Sequence, residues 1–174
     1  HVQLETGTVA TSPIPTAAAT VTRAADQVNV TAASINYSAT AGSWWVDVSM
    51  NAVRTSCRII GYTTGSNTPL YQSNATQFAC FDGVTNTNAA AVVSTLGNHK
   101  LAAAFASGDR AVTADGLAPA TNATAGTALL SPGTNIGFGY DPFGGGADPI
   151  NGYIRKLRYL PRRPTNAELQ AMTV

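Results

Sequence analysis

The sequence predicts an all-β sandwich of antiparallel strands, and three observations predict it. Apolar residues alternate with polar ones in several short segments, as strands with one buried face require. Turn-forming residues recur about every 8–12 positions, the spacing of sandwiches and barrels. Charged residues make up only 11% of the chain, well below the usual ~25%. Thr, Ser, Asn, Gly and Ala take their place, which suits short strands joined by turns and suits surface helices poorly.

The first segment, residues 1–19, contains Pro13, Pro15 and a run of three alanines. Closely spaced prolines favour extended chain and oppose helix. It reads as an arm or linker with a short strand at 2–4, leaving residues 20–174 as one domain. The predicted strands then follow in order. Residues 27–31 alternate Val28 and Val30 with polar neighbours. Residues 44–50 place Trp44, Val46, Val48 and Met50 on one face and Asp47 and Ser49 on the other, the cleanest period-two signal in the chain. Trp44 and Trp45 therefore face opposite ways, and one of them belongs outside the core. Residues 58–62, 77–81 and 90–94 are further short strands. Residues 100–106 and 110–114 flank the turn Ser107-Gly108-Asp109, and Asp115-Gly116 is a hairpin-type turn. Residues 134–140 and 152–160 close the set. Ser38 to Ser43 is a loop of small residues, and Phe143 to Ala147 is a glycine-rich one.

Only the C-terminus reads as helix. Thr165 or Asn166 is the predicted N-cap, and Glu168 follows Thr165 by three residues, the spacing of a capping box. Leu169 and Met172 would fasten one or two turns of helix to the sheet.

With 174 residues the chain suits one domain and buries a core without staples. Ten basic residues against nine acidic ones leave a net charge of +1, so no general field attracts nucleic acid or an anionic membrane. No apolar run approaches the ~18 residues of a membrane span, and the start lacks the basic-then-apolar pattern of a signal peptide. The chain begins abruptly at His1 and reads like a fragment of something longer. Cys57 and Cys80 are too few for a disulfide framework or a cysteine metal cluster. They are expected to be half-buried thiols, with a single bridge between neighbouring strands as the other reading. The four Asn-x-Ser/Thr sequons, at Asn29, Asn36, Asn74 and Asn122, are what chance delivers in a chain rich in Asn and Thr.

The C-terminal run Asn151-Gly152-Tyr153-Ile154-Arg155-Lys156-Leu157-Arg158-Tyr159-Leu160-Pro161-Arg162-Arg163-Pro164-Thr165-Asn166-Ala167-Glu168-Leu169-Gln170-Ala171-Met172-Thr173 resembles the closing strand and helix of lectin-like modules in tail and other structural proteins of phages and prophages. Pro164 stands where those modules usually carry leucine. The opening Gln3-Leu4-Glu5-Thr6-Gly7, the linker Ile14-Pro15-Thr16 and the segment Val21-Thr22-Arg23-Ala24-Ala25-Asp26 are similar to the start of the same modules. Gly97-Asn98-His99-Lys100-Leu101-Ala102-Ala103-Ala104-Phe105 is similar to their paired back strands. The resemblance covers roughly residues 2–26, 97–116 and 151–173, with motifs specific as a set and weak singly. It implies a concanavalin A-like jelly-roll sandwich of two antiparallel sheets with one short C-terminal helix. It fixes no ligand, since such sandwiches host lectins, glycan hydrolases and architectural pieces. In this setting Leu157 and Tyr159 are expected on opposite sides of the last strand, Pro161 ends the ladder, and the helix caps an open end of the sandwich.

The motifs of catalysis are missing. A glycan hydrolase needs two carboxylates close together, and the nearest acidic pairs here are six or seven residues apart across turns. No Gly-x-Ser-x-Gly elbow accompanies His99, which reads as a surface or packing residue. Gly144-Gly145-Gly146 lacks the lysine and helix of a phosphate loop. Calcium is the metal that lectin-like loops would hold through Asp and Asn oxygens. The weak candidates are Asp141, Asp148 and Asn151, with Asp82, Asn86 and Asn88 as a second set, and ordinary turn chemistry is the competing reading. For sugars, exposed aromatics beside amides and carboxylates are required. Trp44, Trp45, Tyr140, Asp141 and Phe143 are the candidates, with Tyr62, Tyr71 and Asn74 as a further group. The basic cluster of Arg155, Lys156, Arg158, Arg162 and Arg163 reads as a solvated edge, or as partners for acids at a subunit contact.

The expectation is therefore a non-enzymatic module on the outside of a phage particle, in a tail fibre or spike, that touches a host surface glycan. Its expected partners are other virion subunits, and the resemblance implies a homo-oligomer such as a trimer. A capsid decoration protein, with the proline-containing arm reaching across a neighbour, is the alternative, and a glycan-active enzyme is the remote third.

Overall fold

The computed structural model describes residues 26–65, 67–123, 128–146 and 148–174. The arm at 1–19, the strand at 2–4 and most of the opening motif lie outside the described residues. In chain order the strands are β1 (Val28–Thr31), β2 (Ala41–Met50), β3 (Cys57–Tyr62), β4 (Thr68–Gln72), β5 (Phe78–Phe81), β6 (Asn86–Asn88), β7 (Gly97–Ala106), β8 (Asp109–Ala114), β9 (Ala120–Asn122), β10 (Asn135–Phe138) and β11 (Gly152–Leu160). One helix, α1 (Asn166–Ala171), follows. A six-stranded sheet has the order β1-β10-β3-β4-β5-β6, and a five-stranded sheet the order β11-β2-β7-β8-β9. All pairings are antiparallel. The all-β sandwich expected from the sequence is the fold observed.

The alternation read in β2 holds: Trp44, Val46, Val48 and Met50 all enter the core between the sheets. The turn at Asp115-Gly116 has positive φ at both residues, and the Leu117 N–H closes it on the Ala114 carbonyl, as a hairpin turn of this hand requires. Several expectations need correction. Residues 90–94 form no strand, because the Val92 and Thr95 N–H groups donate to the carbonyls of Thr76 and Ala75, 2.8 Å each. β4 went unread because Pro69 mimics a turn, yet all five of its residues are buried. Leu157 and Tyr159 do not face opposite ways. They stand opposite Val46 and Trp44 and both turn to the core, as residues two apart on a strand must. The cysteines are free and buried on β3 and β5, with β4 between them. Burial pushes both thiols up to about 11.

One end of the core is aromatic and polar at once. The Trp44 indole N–H donates to the Tyr62 hydroxyl at 2.9 Å. That hydroxyl lies 2.9 Å from the Tyr37 hydroxyl, which donates to the Leu129 carbonyl at 2.5 Å. Since Tyr37 spends its proton on Leu129, Tyr62 donates to Tyr37, and the run is self-consistent. The Tyr37 ring stacks on Tyr159, with centroids 5.1 Å apart. Burial holds both phenols far above their ordinary titration range. Tyr62→Phe keeps the ring but strands the Trp44 N–H and removes the donor to Tyr37. It is expected to cost about 1–3 kcal/mol, measured by chemical unfolding.

Helix α1 lies on the outer face of the five-stranded sheet and not over an open end. Its single buried anchor, Leu169, packs on Ala102, Ala104 and Ala111, with Trp45 alongside. Three alanines bring the sheet surface close enough to seat a helix. The Trp45 indole N–H donates to the Met172 carbonyl at 2.7 Å. A helix of six residues is too short to stand alone, and the predicted capping box supports it: the Thr165 hydroxyl accepts from the Glu168 N–H, while Glu168 reaches back to the Thr165 N–H at 2.7 Å. Arg162, together with the Thr165 N–H and hydroxyl, holds the Glu168 carboxyl at about 2, below its ordinary 4.5. Ionised Glu168 therefore favours the fold. Its contribution is complete above the ordinary value and is lost as pH falls through about 2. Side-chain NMR titration should place the midpoint near that value, and Arg162→Ala should raise it.

Candidate functional site

Among the described residues, the outer face of the six-stranded sheet is half covered and half open, and glycines decide where the cover lies. Gly61 of β3 stands opposite Gly137 of β10. A Cβ at Gly61 would come within 2.6 Å of the Pro142 ring, and one at Gly137 within 3.0 Å of it. Missing side chains at these two positions let Tyr140-Asp141-Pro142 cross the face of the sheet. The crossing is stitched down: the Gly139 N–H donates to the Ile59 carbonyl, and the Arg58 N–H donates to the Asp148 carbonyl, each at 2.9 Å.

Beyond the crossing, β3 bulges between Arg58 and Ile60. Ile59 and Ile60 are both fully buried, and the extra residue returns Arg58 to the outer face. Its guanidinium lies 3.3 Å from the Asp141 carboxylate, with both side chains largely buried. The other Asp141 oxygen accepts the Phe143 N–H at 3.0 Å. The crossing loop and the open half of the sheet are thus joined by one ion pair.

On the open half, Arg58 stands opposite Tyr71, and Phe81 stands between Thr68 and Asn86 in register. The Tyr71 hydroxyl donates to the Asn86 side-chain carbonyl at 2.8 Å. Ser56, Arg58, Thr68, Tyr71, Phe81 and Asn86 line a shallow cavity of ≈ 220 Å³. Two aromatic rings, an amide, two hydroxyl residues and a guanidinium make an apolar floor with hydrogen-bonding groups around it. Such a surface holds a ligand that is apolar on one face and rich in hydroxyls at its edge. A second cavity, ≈ 330 Å³, lies beside Asn98, His99, Lys100 and Asp115. Among the described residues, no aromatic ring of Phe, Tyr or Trp lines it, and its ionisable side chains are engaged: His99 with Asp115 at 2.7 Å, Arg155 with Asp47 at 2.6 Å, and Lys100 with the Val174 carbonyl.

The residues proposed from sequence are scattered. Trp44 is 1% exposed and belongs to the core, so no face of it is available to a sugar. Trp45 is outside the core, as alternation required, but sits beneath α1. Tyr62 is buried, and Asn74 caps its own turn through Thr76. Tyr140 is buried, and its hydroxyl accepts from Asn29 at 3.3 Å. Asp141 reaches the rim of the open groove, and Phe143, two residues on, is 55% exposed. Of the calcium candidates, Asp141 is engaged by Arg58, and Asp148 and Asn151 contribute backbone carbonyls to the Arg58 and Asn51 N–H groups. The second set does not converge. Asp82 is buried against Arg110 at 2.6 Å and accepts the N–H groups of Val84 and Thr85, whereas Asn86 accepts from Tyr71. Among the described residues, no three His, Cys, Asp or Glu side chains are grouped to hold a metal ion. Within the basic cluster, Arg155, Arg162 and Arg163 pair with Asp47, Glu168 and Asp109 of the same chain.

Sequence reasoning named Tyr71 for sugars but missed Arg58, Thr68, Phe81 and Ser56, and it raised Asn86 only for calcium. The groove is built from β3 to β6, the strands where bulges and Pro69 break the period-two pattern. An arginine inside the short apolar run of β3 is the one signal in the sequence that points to this face.

No protein-family model matches the chain, and curated proteins offer no match. Solved structures do. The CBM40 of the Ruminococcus gnavus IT-sialidase, bound to α2,3-sialyllactose, superposes with a TM-score of 0.64 at 19% identity, over 82% of this chain and 87% of that one. The fold is a lectin-like jelly roll. The K499G mutant of NanB sialidase from Streptococcus pneumoniae matches with a TM-score of 0.63 at 8% identity, over 83% of this chain and 26% of that one. The native heptameric SAP-like pentraxin from Limulus polyphemus matches at 0.51 and 13% identity, over 83% and 73%. At such identities the likeness carries the fold alone.

Gly61→Ala should test the crossing. The new methyl group would displace Pro142 and with it the Asp141 carboxylate. A loss of about 1–3 kcal/mol is expected, read by chemical unfolding, with faster hydrogen exchange at the Gly139 and Ile150 amides.

Proposed function

We propose that this chain is a non-enzymatic glycan-binding jelly roll that serves on the exterior of a phage particle, in a tail fibre or spike. The observation that carries the glycan reading is the open groove of Arg58, Tyr71, Phe81 and Asn86 beside the Asp141 loop. The similarity of fold to a sialidase CBM40 solved with a sialylated lactose supports it. Among the described residues, none that lines the groove is acidic, whereas most glycoside hydrolases use two carboxylates flanking the scissile bond. The phage setting rests on the resemblance of residues 151–173, and of the other motifs, to lectin-like modules of phage structural proteins. The partners under this reading are a host surface glycan and other virion subunits, including further copies of this chain.

Two measurements test the reading. A glycan array should show binding that Asn86→Ala weakens about tenfold, the equivalent of about one lost hydrogen bond, with the folded fraction at the assay temperature checked by circular dichroism because the substitution also removes the acceptor of the Tyr71 hydroxyl. An array on which no glycan is retained would remove the binding role. Antibody labelling of intact particles should mark the tail. Label spread over the capsid would make this a decoration protein instead.

A further inference from the structure

We infer that the groove selects uncharged sugars and rejects acidic ones, and that Asp141 is the residue that sets this choice. The inference rests on the glycan-binding reading above. Arg58 is the only charged residue among the described residues that line the groove, and an arginine there by itself would favour a carboxylate or sulfate on the ligand. It is not alone. Asp141 faces it at 3.3 Å, and both side chains are mostly out of water. The aspartate is itself fixed: one oxygen accepts the Phe143 N–H, and its backbone carbonyl accepts the Gly146 N–H at 2.9 Å. The Pro142 ring that follows is lodged over Gly61 and Gly137.

An acidic ligand that approached Arg58 would therefore meet a carboxylate that cannot swing away. The two anions would share one guanidinium in a partly desolvated site, where like charges repel strongly. Nearby charges do not relieve this. Asp82 and Arg110, which follow β5 and begin β8, neutralise each other in the interior at 2.6 Å. Arg54 is turned to the Pro149 carbonyl at 3.2 Å. Arg58 and Asp141 offset one another in charge. For a neutral sugar the same pair is an asset: the guanidinium donates to hydroxyl oxygens, the carboxylate accepts hydroxyl protons, and Tyr71 and Phe81 supply the apolar floor. Specificity then comes from a built-in repulsion against the wrong ligand as well as attraction for the right one.

The test is titration calorimetry of the whole chain against a panel of neutral oligosaccharides, lactose and chitobiose among them. Each is paired with a counterpart that carries sialic acid, a uronic acid or sulfate. The expected result is binding of a neutral member at least tenfold tighter than its acidic counterpart. Asp141→Asn keeps an acceptor for the Phe143 N–H while removing the charge, and it should narrow that ratio by tenfold or more, chiefly through a gain for the acidic ligand. Should that variant unfold, the pair Arg58→Gln with Asp141→Asn removes both charges. It should weaken neutral binding, which both groups serve, and bring the neutral-to-acidic ratio close to one; a ratio left unchanged would overturn the inference. Tighter binding of the acidic members by the unaltered chain would overturn the inference and leave the glycan-binding reading standing. Binding of no member would overturn both.

Discussion

A run of buried hydrogen bonds from Trp44 through Tyr62 and Tyr37 to the Leu129 carbonyl ties the two sheets together. Trp44 belongs to the five-stranded sheet and Tyr62 to the six-stranded one. Tyr37 lies in the connection from β1 to β2, and Leu129 lies in the connection that leads to β10. Apolar packing alone tolerates a sandwich whose sheets slide or twist against one another, because dispersion has no preferred direction. Hydrogen bonds in a dry interior do have one, and an unpaired member is costly. The run therefore fixes how β3 sits across from β2. Everything on the outer side of β3 inherits that placement. Tyr62 turns inward at one end of the strand, and Arg58 turns outward at the other, with the bulge at Ile59 between them.

Both outer faces of the sandwich show how small residues decide what covers a sheet. On the five-stranded sheet, Ala102, Ala104 and Ala111 leave a shallow bed into which Leu169 descends, and α1 closes that face. On the six-stranded sheet, Gly61 and Gly137 admit the Pro142 ring over β3 and β10. Next to it the outward positions are Arg58, Tyr71, Phe81 and Asn86, side chains too large and too polar for a second chain segment to settle on them. The groove is thus the part of the sheet surface that the described residues do not cover. Its floor is rigid because the same strands carry Leu70, Phe78 and Cys80 into the core on their other side.

Legibility in the sequence followed regularity. β2, β7, β8, β10 and β11 alternate cleanly or sit beside turns with glycine at the right position, and all were read with bounds close to those observed. The capping box of α1 was read at Thr165 and Glu168, with Asn166 as the other N-cap, because those two residues report a local hydrogen-bond exchange that depends on nothing distant. The face on which α1 lies was misread, because the alanine bed is a property of two strands paired far along the chain. β4 was lost to Pro69, and the stretch from 90 to 94 imitated a strand whose N–H groups in fact serve the turn at 74–77. The site suffered most. Trp44 and Tyr140 are the residue types that bind sugars, yet both are sequestered inside, while the groove is assembled from strands whose bulges erase the period-two signal. An aromatic residue advertises burial as readily as binding, and only the tertiary fold separates the two.

The pairing of Arg58 with Asp141 bears on what a shared fold can convey about a ligand. The two residues are distant in sequence, one at the start of a bulged strand and the other in a loop after β10. They meet only because two glycines admit that loop. A jelly roll with the same strands but a bulkier residue at position 61 or 137 would hold the loop away and leave the arginine without this partner. The groove would then pass from a balanced pair to a net positive charge with no change in topology. Fold similarity at 8–19% identity is therefore compatible with opposite preferences for charge. The ligand must be argued from the few side chains on the open half of one sheet and from the carboxylate that the crossing loop brings to them.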